Sequence, residues 1–165
     1  MKGICILGAI VGFFLTFCPY TSSAETIIMK TEFTNVTPIF MDGHMGDQDW
    51  IEGYSLKGDI FLGNEKIGTV DAKITLFNPP ADLTQKYDEA FGIFNNTITN
   101  LGSFQIYAQL RALSTNAMTG EGMTSWHGTI ANGSEGLQGL LGLSSGVSSF
   151  NLFTGKGSGL QLLNF

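Results

Sequence analysis

Ile67-Gly68-Thr69-Val70-Asp71-Ala72-Lys73-Ile74-Thr75-Leu76-Phe77 alternates apolar and polar residues over most of its length. Successive side chains of an extended chain point to opposite faces, so Val70, Ala72, Ile74 and Leu76 share one side and Thr69, Asp71, Lys73 and Thr75 the other. Such a strand buries one face and hydrates the other. The same period of two returns in residues 103–113, where Phe104, Ile106, Ala108, Leu110 and Ala112 alternate with Gln105, Tyr107, Gln109 and Arg111. Weaker versions occupy residues 26–34, 50–62, 91–99, 123–131, 147–154 and 159–164. Asp42-Gly43, Gly63-Asn64, Asn78-Pro79-Pro80, Leu101-Gly102, Gly120-Glu121-Gly122 and Asn132-Gly133 supply turn chemistry between them. A short helix is predicted only at residues 82–90, with Asp82 as its N-cap.

These short strands predict an all-β fold: a single closed or nearly closed antiparallel eight-stranded barrel. Closure is preferred to a sandwich because it leaves the fewest unpaired strand edges. If Thr69, Asp71, Lys73 and Thr75 face solvent, the lumen is apolar; if they face inward, it is wet.

The first 24 residues predict a cleaved signal peptide. Lys2 precedes an uncharged stretch from Gly3 to Phe17 that is shorter than the roughly 20 residues a membrane helix needs. Ser22 and Ala24 place the cut after Ala24, and the bulk of Phe17 argues against lipid attachment at Cys18. The expected product, residues 25–165, is secreted or periplasmic, is one domain, and has no membrane-spanning helix. Both cysteines, Cys5 and Cys18, leave with the leader. That excludes a disulfide framework, a cysteine metal site and a thiol nucleophile in the exported part. The formal charge of the chain is −6, and loss of Lys2 lowers it to −7. With no basic cluster to neutralise phosphates, nucleic acid and anionic membranes are poor partners.

Glycines crowd the last third, most densely at Gly133, Gly136, Gly139, Gly142 and Gly146. No proline lies in this tract, so it reads as tight turns and bends of barrel strands rather than collagen. Residues 130–142, Ile-Ala-Asn-Gly-Ser-Glu-Gly-Leu-Gln-Gly-Leu-Leu-Gly, resemble a motif of the allene oxide cyclase and dirigent protein superfamily. There a strand ends in a Gly-Gly-Thr-Gly turn followed by an apolar residue, a small pair and a further glycine. Asn132, Gly133, Ser134 and Glu135 match the turn, Leu137 the apolar position, and Gly139, Leu140 and Gly142 the tail. Gly58-Asp59 with Gly68 is similar to the early strand pair. Glu135 stands where the family has glycine, and Leu140 where it has a smaller residue. The resemblance implies an eight-stranded barrel with a hydrophobic small molecule in its lumen, and in some members a cofactor-free cyclisation or coupling.

Candidate site residues are few. Trp126 and His127 are adjacent, so on a strand they face opposite sides and cannot form one site alone. Trp126 reads as core or lumen wall. His127 shares its face with Ser125 and Thr129. Glu32 and Asn35 lie where the resembling cyclases place polar lumen residues, and Tyr107 on a later strand would join Glu32 in orienting a polar ligand group. Asp42, His44, Asp47 and Asp49 form one acidic loop, but their spacing is not that of a calcium loop and no metal site is expected. No ordered nucleophile, histidine and acid signature and no phosphate-binding glycine loop occurs. Asn35, Asn95 and Asn132 begin glycosylation-type triplets.

The sequence therefore predicts an exported, cofactor-free barrel enclosing a hydrophobic small molecule, as a carrier or as a cyclase or isomerase of the same fold. A lumen plugged by side chains would remove that reading. A small outer-membrane barrel and a structural or interaction module are the rival classes, and an oligomer is compatible with each.

Overall fold

A computed structural model describes residues 25–40, 51–77, 89–116 and 118–165. The expected signal peptide, the acidic loop around His44 and most of the expected helix lie outside these residues. Only Glu89 and Ala90 of that helix are described, and they open a strand.

Eight strands form in chain order: β1 (Thr26–Phe40), β2 (Ile51–Leu62), β3 (Glu65–Leu76), β4 (Glu89–Ile98), β5 (Gly102–Asn116), β6 (Glu121–Ala131), β7 (Gly142–Asn151) and β8 (Lys156–Asn164). Each pairs antiparallel with its neighbours in sequence, and β8 returns to β1, so the sheet is a closed eight-stranded barrel without free edges. Every predicted strand corresponds to an observed one. The largest boundary differences are at β1, which runs on to Phe40 through a register shift between Phe33 and Asn35, and at β7, which begins at Gly142.

The β3 pattern turns out as the alternation requires. Val70, Ala72, Ile74 and Leu76 are buried, while Thr69, Asp71 and Lys73 are exposed. Charges decorate the outer wall of the first three strands: Lys57 reaches Asp71 at 3.5 Å, Lys66 reaches Asp59 at 2.8 Å, and Lys30 reaches Glu32 at 2.6 Å. Inward positions of β1 to β5 carry large apolar chains, among them Met29, Phe33, Leu56, Ile60, Phe94, Phe104 and Ile106. β7 and β8 instead turn mostly small or polar residues inward, such as Ser144, Gly146, Gly157 and Gln161.

The segment carrying the family-like motif caps one end of the barrel. After β6 the chain makes a single turn of 3-10 helix (Glu135–Leu137) and lays buried Leu137 against the core. Ser134 pins the turn to β5: its hydroxyl accepts from the Ser103 amide at 3.1 Å, and the two hydroxyls are 2.9 Å apart. The Gly136 amide donates to the Leu101 carbonyl at 2.9 Å. A side chain at Gly133 would collide with the Leu137 carbonyl, so this approach requires glycine.

Candidate functional site

The small residues of β7 determine what fills the lumen. Trp126 points inward from β6 opposite Gly146 of β7, and a β-carbon at Gly146 would come within 2.5 Å of the indole Cζ2. The indole therefore lies over bare backbone and stacks on Phe94 with ring centroids 5.4 Å apart and planes 22° apart. Phe150 does the same over Gly122 and meets Tyr54 with centroids 5.9 Å apart. Burial pushes the Tyr54 phenol up from 10.0 to about 12, because its anion would lose hydration in this interior. The void left among Phe33, Tyr54, Phe94, Leu110 and Phe150 is about 10 Å³, which is room for roughly one water molecule. Asn96 Oδ1, Trp126 Nε1 and Gln161 Nε2 are buried without a hydrogen-bond partner among the described residues. Among the described residues the interior around this void is thus packed, with two aromatic rings leaning across onto glycine, and no ligand-sized lumen is seen there.

An open groove of about 620 Å³ lies on the outer wall across β4 to β8. Its floor is built from small residues, Gly128, Ser144 and Ser145, while Phe77, Phe91 and Leu143 supply apolar walls. Tyr107, Gln109, His127, Thr129 and Asn164 complete it, so among the described residues no acidic residue, lysine or arginine lines it. Register explains the assembly. Phe91 pairs with Gln109, Gln109 with His127, and His127 with Ser145, which sets four side chains in one row across four strands. Tyr107 is half-buried and fixed: its hydroxyl donates to Gln105 Oε1 at 2.7 Å and accepts from Asn132 Nδ2 at 2.7 Å. Gln109, His127, Thr129 and Ser145 make no side-chain hydrogen bond within the described residues and keep their full capacity for a ligand. A second concavity of about 520 Å³ at the far end of β5 to β8 includes the charged residues Glu121 and Lys156.

The five residues singled out from sequence therefore separate. Tyr107 and His127 meet in the groove. Trp126 is in the core, on the face opposite His127, as adjacency on a strand dictates. Glu32 faces solvent on β1, paired with Lys30, and Asn35 is also exposed, accepting from Thr37 Oγ1 at 2.7 Å. Neither lines the lumen, because the apolar alternation of β1 claims the inward positions for Met29, Thr31 and Phe33. Sequence reading missed Phe77, Phe91, Gln109, Leu143, Ser145 and Asn164. The available signal was the presence of Phe91 and Leu143 at outward positions, where alternation calls for polar residues.

Among the described residues no group of three histidine, cysteine or acidic side chains could hold a metal ion. In the groove the His127 imidazole contacts no hydroxyl or carboxylate as hydrogen-bond partner, so the arrangement offers surface recognition rather than an assembled nucleophile and base. These features define a closed antiparallel barrel with a solid core and an uncharged outer groove. No protein-family model, curated protein or solved structure matches the chain.

Proposed function

We propose that this chain is an exported barrel of the allene oxide cyclase and dirigent type that serves as a cofactor-free binding protein for a small uncharged molecule, held in the outer groove. One observation carries this reading: the groove offers about 620 Å³ with apolar walls and free neutral polar groups, against about 10 Å³ in the void among the inward side chains of the described residues. Small-molecule sites generally occupy roughly 300–1,000 Å³ and combine apolar walls with a few polar groups. The small void among the inward side chains weighs against carriage in the lumen and supports the outer wall as the site.

The test is to express the full chain, purify the exported product, extract it with organic solvent and weigh what co-purifies. A compound present at near-stoichiometric level in the parent, and lost from Phe91→Ala, is the expected result. A bound compound retained undiminished in Phe91→Ala and His127→Ala would place the ligand elsewhere.

An interaction module is the second reading, and a specific surface favours it. Ile28, Leu143, Val147, Leu160 and Leu162 are all exposed on β1, β7 and β8, and contiguous exposed apolar residues commonly mark protein contacts. A hydrodynamic mass that rises with protein concentration, and returns to that of one chain in Leu160→Ser, would support it.

A further inference from the structure

The polar groups of the groove indicate its ligand class, on the premise that the groove is a small-molecule site. Gln109, His127 and Ser145 stand side by side in one cross-strand row, and Thr129 lies two residues from His127 on the same face. Neighbouring strands are about 4.8 Å apart and alternate residues about 7 Å apart along a strand, so the four heads form a two-dimensional array. Amide, imidazole and hydroxyl groups each donate and accept hydrogen bonds. None of the four is engaged within the described residues. At the end of the row, directly opposite Gln109, stands the exposed ring of Phe91, with exposed Phe77 also in the wall.

Among the described residues ionic ligands lack a counter-charge here, since no acidic residue, lysine or arginine of that set lines the groove. A pure hydrocarbon is also a poor match, because it would strip water from four polar groups and give them no partner. The groups call instead for a neutral molecule with several hydroxyls at its edge and a face of C–H bonds. Hydroxyls exchange hydrogen bonds one for one with the array. The slightly positive C–H face lies against the negative face of an aromatic ring. We infer that the outer groove binds a neutral saccharide, with its ring against Phe91 and its hydroxyls on Gln109, His127, Thr129 and Ser145.

Native electrophoresis of the exported full-chain product through gels containing hydroxyethyl cellulose, xylan, galactomannan or dextran, with an array of neutral oligosaccharides in parallel, tests this. Retardation by at least one polysaccharide is expected. Phe91→Ala and His127→Ala should each weaken it about tenfold, whereas Lys73→Ala, on the charged wall of β3, should not. The neutral apolar fluorophore N-phenyl-1-naphthylamine supplies the second arm. If no saccharide binds but the fluorophore does, and Phe91→Ala abolishes its binding, the groove remains a ligand site and the saccharide assignment falls. If neither binds, both fall. Retardation unchanged by either groove substitution also overturns the assignment.

Discussion

Glu135 has φ 52°, in the left-handed region where a β-carbon is disfavoured. It is held there by the cap: the amide of the next residue, Gly136, donates to Leu101, and Gln138 donates back to the Glu135 carbonyl. Asn132 shares this conformation, with φ 55°, but asparagine tolerates it better and its amide is used, donating to Gln105 and Tyr107. Glycine at position 135 is what the resembling family carries, and Glu135→Gly should stabilise the fold by about 0.5–1 kcal/mol, read as a higher urea midpoint with unchanged slope. A lower midpoint would mean the carboxylate makes a compensating contact in solution. Tyr54 makes a second residue-scale prediction. Burial pushes its folded phenol up to about 12 from the ordinary 10.0. Above pH 10 the unfolded phenol sheds its proton while the folded one keeps it, so the unfolded state binds fewer protons and stability falls as pH rises. The loss should reach about 2 kcal/mol by pH 12. Denaturant midpoints across that range should fall in the parent and fall less in Tyr54→Phe; parallel curves would refute the assignment.

β7 and β8 show how one element determines the use of the whole interior. Apart from Phe150 and Leu163 their inward faces are too small to meet the large chains of β1 to β5, so Trp126 of β6 crosses the gap onto Gly146 of β7 while Phe150 of β7 rests on Gly122 of β6. In Gly146→Ala the new methyl would press on Trp126 Cζ2 and on the Leu160 carbonyl, both 2.5 Å away. Overpacking of this kind costs about 1–3 kcal/mol. Chemical denaturation and the near-ultraviolet signal of the indole should report it together, and an unchanged midpoint would show that the indole does not occupy this place. The element also marks the limit of what could be read from the sequence. β3 and β5 announce themselves because each alternates cleanly between a large apolar and a polar face. β7 turns Leu143 and Val147 outward and, before Phe150, only Gly142, Ser144, Gly146 and Ser148 inward, which inverts the usual signal over most of its length. Its existence was legible from length and turns, while its start at Gly142 and its orientation were not. The groove was legible only as two separate candidates, Tyr107 and His127, because the row joining Phe91, Gln109, His127 and Ser145 depends on register across four strands. The position of Trp126 inside rather than at a ligand was likewise decided by a glycine on another strand.

The distribution of polarity across the closed wall decides between an aqueous and a lipid setting. A membrane barrel turns an apolar band of about 25 Å outward and tolerates polar groups inside. Here the interior is apolar and solid, and Lys30, Glu32, Lys57, Asp59, Lys66, Asp71 and Lys73 lie on the outer wall of β1 to β3. Lys57 and Asp71 face each other in mid-strand register, far from either rim. A lysine at the bilayer midplane of an outer-membrane barrel costs about 2–4 kcal/mol, and several such charges outweigh what the exposed leucines of β7 and β8 would return. Among the described residues the exposed large apolar side chains of the strands, Ile28, Phe91, Leu113, Met123, Leu143, Val147, Leu160 and Leu162, lie on β1 and β4 to β8 and leave β2 and β3 without one, whereas lipid would surround the full circumference. The barrel should therefore remain in the aqueous phase when detergent solution is warmed through its cloud point. It should also unfold and refold in urea without detergent. Recovery in the detergent-rich phase, persisting after Leu160→Ser and Leu162→Ser remove the exposed leucines of β8, would show that the charged arc does not keep the barrel out of lipid. Loss of detergent partition in that double variant would instead locate membrane or partner contact on β8, with the charged strands facing water.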